Sequence, residues 1–401
     1  MDAPRLPLLA LVGACTLVLA GCLVPSVPWP NRPADPEIWV EQVQLDDGTR
    51  VRLGGYLAGE QLRPLVEWQR PGDPGFTRRA FEALGAAGHT RFDGVLGDEA
   101  GLVLVSAAEG RESLVVTRLD WAGEARGAVE VALGAPMRGF ELGVARSAGQ
   151  LVVGLALGLP DGGVGAEAAV LWLGPAGEPV RGVVVPELSG FAELALHGDG
   201  ALTVLGAARL EGSPEVGVAR FSPAGTLEWA RSLRFPDYGA RSLLGASLAV
   251  GPAGQALVVG QHPYPLRPRV DVVLAQLDAA GALTWQRAIS RPYPAEPPNW
   301  VLGPITQRAA FAPDGALFLA ATAPFEQQGG THLVLLELGA GGEVLRQSAV
   351  TRGTQRLVEV RAAADTVRAR GELFFECTFD RGSFAGCEAP LALPPLVSEP
   401  T

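Results

Sequence analysis

Apolar residues along this chain come in short runs that end on glycine turns, and two kinds of run alternate. The first kind is VVTRLDWAG to Gly123, AVLWLGPAG to Gly177, GVARFSPAG to Gly225, VLAQLDAAG to Gly281 and VLLELGAGG to Gly342, with a degenerate copy, LVEWQRPGDPG, to Gly75. Each reads as a strand followed by a tight turn that needs a residue with positive φ, which is the place of the glycine. The second kind is a polar turn feeding a strand. It recurs from Asp46 (DDGTRVRLGG), Glu99 (EAGLVLVSA), Ser147 (SAGQLVVG), Gly198 (GDGALTVLG), Pro252 (PAGQALVVG) and Pro313 (PDGALFLAA), and ADTVRARG from Ala364 is a seventh copy with Thr366 in the glycine's place.

One period of about 50 residues therefore holds two hairpins, hence four strands, which is the size of one β-propeller blade. Segments such as Ser247 to Val250 and Leu283 to Trp285 supply the first and fourth strands. Seven polar turns against six of the first motif predict an all-β propeller of seven blades spanning residues 37–395, the last blade incomplete and starting near Leu357; six or eight blades stay open. Fifty-two glycines and 33 prolines with 19% charged residues agree, because such a chain breaks too often for long helices. Phe76 to Gly85 reads either as part of a blade or as a short helix.

The first residues follow a different pattern. Arg5 precedes an apolar run from Leu6 to Ala20, and Leu19-Ala20-Gly21-Cys22 closes it in the order of a signal peptide. The quartet resembles a bacterial lipobox, which implies cleavage before Cys22, a lipid on its sulfur and a membrane anchor. An uncleaved anchor, or an ordinary signal peptide with a chance cysteine, stays open. By resemblance to the enterobacterial sorting rule, Leu23 after the cysteine favours the outer over the inner membrane of the cell envelope. The reading is thus a signal peptide over 1–21 and a tether over 22–36, where Pro25, Pro28, Pro30, Pro33 and Pro36 suit an extended spacer. With Cys15 removed and Cys22 lipidated, only Cys377 and Cys387 are left, most simply as a disulfide.

A net charge of −11, with every Lys/Arg position an arginine, argues against a nucleic-acid partner. The unit DVVLAQLDAAGALTWQRAI from Asp271 to Ile289 resembles the SBBP-type β-propeller repeats of myxobacterial surface proteins, and Trp229 and Trp285 each begin a Trp-x-Arg step within it. The four-residue step from Gly225 to Trp229 and from Gly281 to Trp285 is also similar to quinoprotein-type repeats. Asp278 stands one place too near its glycine and the threonine of that repeat is missing, so no quinone cofactor is implied. A lipobox-bearing propeller of similar length occurs in the outer-membrane protein assembly machine, with a shorter period than this chain has.

Trp229 and Trp285 share one repeat position and are read as packing between blades, with a carbohydrate-stacking pair as the rival. Trp300 breaks the repeat, in a proline-rich insertion that makes the longest interval, and is the candidate loop contact. Asp46, Asp47, Asp199 and Asp314 fall in equivalent turns and are read as capping turn amides, with calcium as the rival. His89, His197, His262 and His332 are scattered singly, which predicts no metal site, and no catalytic constellation is legible. The expectation is a non-enzymatic, membrane-anchored propeller that binds a protein or glycan partner or scaffolds an envelope complex. The rival is a hydrolase or lyase acting in the central funnel.

Overall fold

A computed structural model describes residues 37–400, apart from 46, 59–60, 82–83, 85–88, 109, 140–141, 148, 160–164, 209–214, 236–243, 264–269, 291–305, 326–329, 352–356, 372–374 and 388–396. Its 28 strands form seven antiparallel sheets, each made of consecutive strands save for one strand added from the chain's end: five sheets have four strands, one has three and one has five. This is a seven-bladed β-propeller whose last blade is incomplete. The first strands are β1 (Glu37–Gln44), β5 (Gly94–Asp98), β9 (Gly143–Ser147), β13 (Glu193–Leu196), β17 (Leu244–Val250), β21 (Gln307–Phe311) and β25 (Leu357–Ala362). From β5 to β25 each touches the next, which sets them around the central axis.

Burial explains the run pattern. A middle strand lies between two neighbouring blades, so both its faces are covered and it reads as a continuous apolar run, as in β10 (Gln150–Gly158), where every residue after Gln150 is buried. An outer strand has little cover, and β8 (Ala125–Ala132) is exposed along most of its length. The apolar core accordingly falls into six clusters among the described residues, one between each successive pair of blades from first to seventh. At the seventh-to-first junction, buried Arg370 donates through Nη1 to the carbonyl of Gln44 (3.4 Å) and pairs with Glu359 (3.1 Å) and Glu376 (3.1 Å). The ring closes there without a shared strand.

The tight turns have the expected chemistry. In the hairpin between β19 (Val270–Leu277) and β20 (Leu283–Ser290), Gly281 N donates to Asp278 O (3.0 Å) and Asp278 N to Ala282 O (2.9 Å), with a bulge between Gln276 and Leu277. The same bonds recur at Gly123, Gly177, Gly225 and Gly342, and the five glycines have φ of 72 to 92°. In the first blade the left-handed residue is Gly72 rather than Gly75. Thr366 needs no glycine, because Ala363 and Thr366 close a turn of only two residues. Thr77–Ala80 is a strand, β4, paired with β3 (Gln61–Gln69), which sets aside the helical reading for those residues.

One feature departs from expectation. The propeller passes the expected limit at residue 395: β28 (Val397–Pro400) pairs antiparallel with β20 as a fifth strand on the fifth blade. The expected Cys377–Cys387 disulfide (Cα–Cα 5.2 Å) is formed, with Cys377 buried between blades six and seven.

Candidate functional site

Antiparallel order places all first-to-second and third-to-fourth strand turns at one end of the propeller and all other connections at the opposite end. The first end is locked by a repeated contact between blades. Trp172 and Arg181 are cross-strand partners in the third blade, and Arg181 Nη1 donates to Ala224 O of the fourth blade's turn (2.6 Å). Trp229, the partner of Arg220, donates through Nε1 to Ala279 O (3.0 Å) and lies under Gly281; Arg287, beside Trp285, donates to Gly341 O (2.7 Å) while the indole lies under Gly342. Trp68 lies under Gly123 in the same way. Trp229 and Trp285 are therefore docking residues between blades, as repetition suggested.

The turn carboxylates face their own backbone. Asp47 accepts from Thr49 N (2.8 Å), Asp199 from Ala201 N (2.9 Å) and Asp314 from Ala316 N (3.1 Å); the Arg381 guanidinium beside Asp314 helps hold its carboxyl below the usual range. Among the described residues no group of three or more His, Cys, Asp or Glu is arranged to hold a metal ion. Asp46, Trp300 and Cys22 lie outside the described residues.

At the other end, where the longer connections enter the inner strands, polar side chains gather at one register position, four residues before the residue that opens the turn. Glu193 there accepts from Leu248 N of the next blade (3.0 Å), Ser247 Oγ donates to Gln307 O (3.3 Å) and Arg308 Nε donates to Val358 O (3.0 Å). Each thus satisfies a backbone group on the axis-facing edge of the following inner strand. Buried Gln261 and Gln307 add an amide pair (2.5 Å), and Leu357 N donates to Thr306 Oγ1 (2.6 Å). In the second and third blades the position holds Gly94 and Gly143, and the space is filled by Leu142 and Val144 and by Phe191 and Leu194. The mouth of the axis is therefore polar around blades four to six and apolar around blades two to four.

Burial pushes the Glu193 carboxyl above its ordinary pKa, against the opposing pull of Arg308 and of the Leu248 amide. A carboxyl held this way resists ionisation, and its one hydrogen bond among the described residues is spent between blades.

A second polar group lies under the start of the second blade. Ser106 Oγ donates to Arg91 O (2.6 Å), so His89 Nδ1 must donate to Ser106 Oγ (3.1 Å), and burial lowers the His89 pKa. Asp93 takes Arg91 Nε (2.6 Å) and Ala107 N (3.0 Å). Serine, histidine and aspartate are neighbours here, but nucleophile activation needs the histidine to accept the serine proton, and here the proton is committed to a carbonyl. His197 hydrogen-bonds Thr203 (2.7 Å), and His262 and His332 stand on separate strands, β18 (Ala256–Pro263) and β23 (Gly330–Leu338). The axial cluster and the His89 group were not foreseen; Glu193 and Arg308 would emerge from aligning the inner strands on their turns.

No protein-family model matches the chain, and no curated protein is significantly similar to it. Among solved structures it is similar to the WD40 domain of Neurospora crassa Pan2 (11% identity, TM-score 0.46, 84% of this chain and 86% of that one). It is also similar to the β-propeller domain of the Trilobed protease from Pyrococcus furiosus (8% identity, TM-score 0.44, 86% and 93%). A third likeness is to a puromycin hydrolase (14% identity, TM-score 0.49, 88% of this chain and 53% of that one). Likenesses this remote say nothing about activity.

Proposed function

We propose that this chain is a lipid-anchored, non-catalytic propeller of the cell envelope, at the outer rather than the inner membrane, that binds a protein or glycan partner or scaffolds a complex through the loops at its long-connection end. The observation that supports this most is how the polar groups at the axis are used. Glu193, Ser247 and Arg308 each close a backbone group of the neighbouring blade, an arrangement that stiffens the mouth and leaves recognition to the rim. The connection between β20 and β21 carries Trp300, a side chain suited to an anchoring contact. Lipidation at Cys22 after the 1–21 signal peptide, with 22–36 as tether, would anchor the chain to the bilayer.

A photo-crosslinking residue placed at position 300, or at position 126 on the opposite end where Arg126 is 68% exposed, tests the polarity of binding in intact cells. Adducts from 300 and not from 126 support the reading; equal yields refute it. A clickable palmitate analogue should label the native protein and not Cys22→Ala, and equal labelling would remove the anchor. Turnover of a glycoside or peptide substrate that is abolished by Glu193→Gln would favour the funnel-enzyme rival.

A further inference from the structure

Ladder register matches positions from blade to blade, and one matched position differs sharply in its partners. Arg118 on β7 (Ser113–Asp120) lies across from Gly127 on β8, and Arg220 on β15 (Glu215–Phe221) lies across from Trp229 on β16 (Leu227–Leu233), each pair standing just before a bulge. The two arginines therefore hold the same place in the second and the fourth blade. Arg220 is buried there with a partner on every nitrogen: Nε donates to Glu228 (3.0 Å), Nη1 to the carbonyl of Gly254 in the fifth blade's polar turn (2.6 Å), and Nη2 reaches Asp199 (3.4 Å).

The second blade lacks these partners. The residue matching Glu228, one before the cross-strand partner, is Arg126, and the match for Trp229 is Gly127, where a Cβ would meet nothing within 4 Å. The turn carboxylate of this blade, Asp98, is spent on Ala100 N (2.9 Å), Gly101 N (3.0 Å) and Arg146 of the third blade (2.8 Å). Arg118 Nε is consequently enclosed without an acceptor, and among the described residues no carboxylate pairs with this guanidinium. Arg126, 68% exposed, pairs with Asp120 (2.6 Å), which leaves Arg118 as the unbalanced charge. An enclosed cationic donor with nothing to donate to is costly, so the position calls for an acceptor that the chain does not supply.

We propose that Arg118 anchors an oxyanion site on the second blade, open on the Gly127 side, which takes a carboxylate or phosphate group in the place that Glu228 fills against Arg220. A guanidinium presents parallel N–H donors that match the oxygens of either group. The absence of a side chain at Gly127 gives the anion room, and the reversal of charge from Glu228 to Arg126 removes the carboxylate that would otherwise compete for it. The ligand is a small ion, and the site is separate from the loop end to which partner binding is assigned.

The test follows the arginine Nε–H signals by NMR in the full chain in detergent, with the Arg118 signal identified by its loss in Arg118→Gln. Inorganic phosphate and, separately, acetate are titrated at about pH 7 and constant ionic strength. At least one of them should move the Arg118 signal saturably, with a dissociation constant on the order of 1–10 mM, and the larger response shows which group the site prefers. The Arg220 signal, whose acceptors the chain supplies, should stay in place. Arg126→Glu rebuilds the fourth blade's arrangement on an exposed strand, so it should shift the anion-free Arg118 signal and weaken anion binding at least about tenfold. An Arg118 response to both anions no larger than that of Arg220, or no larger than chloride gives over the same range, overturns the proposal. Unchanged affinity in Arg126→Glu overturns it as well, because a carboxylate in the Glu228 position would then not be competing for the guanidinium.

Discussion

Gly281→Ala tests whether the turn glycines serve the turn alone or the turn and the next blade together. Two costs are separable. The first is conformational: φ is +79° at Gly281, and an alanine held in that left-handed region costs about 1–2 kcal/mol. The second is steric, because a Cβ at Gly281 would lie 2.6 Å from Cδ2 of Trp229, about 1 Å inside contact distance, and the neighbour is a buried indole that also donates to Ala279 O. Displacing a packed side chain costs a further ~1–3 kcal/mol. Gly315 supplies the control. It sits in a turn with the same two hydrogen bonds, at φ +86°, and a Cβ there meets nothing within 4 Å. Urea unfolding should therefore show Gly315→Ala losing only the conformational ~1–2 kcal/mol and Gly281→Ala losing ~2–5 kcal/mol. In a Trp229→Ala background the difference should vanish, since the obstructing ring is gone, and that coupling is what a double-mutant cycle measures. Equal losses for the two glycine variants, within about 0.5 kcal/mol, would refute the docking role of the indole.

Two titrating groups make further predictions. Burial, aided by Arg220 and opposed by Asp199, lowers the His197 pKa from 6.5 to about 4, so below pH 6.5 the unfolded chain takes up a proton that the native chain refuses. Stability should fall by about 2 kcal/mol between pH 7 and pH 5 through this residue, read as the difference between native and His197→Gln denaturation curves; parallel curves would dispose of the claim. Glu193 has the opposite sign, its folded pKa being raised, so the native state is favoured at low pH and loses ground as pH rises above 4.5. Glu193→Gln, which keeps an acceptor for Leu248 N, should be neutral at pH 4 and stabilising at pH 8 by thermal melting, whereas Glu193→Leu should cost about 1–3 kcal/mol at pH 4 by leaving that amide unpaired and less at pH 8, where it too removes the buried carboxylate.

The first six blades were legible because each repeats the same local constraint. A hairpin of this kind must place a left-handed residue at a fixed offset from its strand, so glycine recurs whatever the tertiary surroundings. The docking contact was only half legible. Trp229 and Trp285 stand on fourth strands and share an offset from their glycines, but Trp68 and Trp172 stand on third strands, at the residues directly across the ladder from that position. The constraint applies to the cross-strand pair, either member of which can lie under the next blade's turn. A linear comparison sees two tryptophans and two gaps, where the sheet sees one recurring site filled from either side. In the second blade the same space under Gly177 is taken by Val116 and Val129, so even the aromatic is exchangeable for apolar bulk.

The axial cluster hides for a related reason. Glu193, Ser247 and Arg308 have nothing in common as residue types, and they are united only by what they do. Each supplies whichever hydrogen-bonding partner the next inner strand's edge lacks, an acceptor for Leu248 N or a donor for Gln307 O and Val358 O. An inner strand has no neighbour toward the axis, so its free edge must be satisfied by side chains, by water or by a ligand. Where blades two and three place Gly94 and Gly143, the position has no side chain to offer and apolar side chains of the next blade close in instead. The polar and apolar halves of the mouth thus arise from one structural demand answered in two ways. It follows that polarity at a propeller axis is weak evidence of chemistry until each group's partner is known. In this chain Glu193, Ser247 and Arg308 each bond a backbone atom of the next blade, which is why the proposed binding function is assigned to the rim.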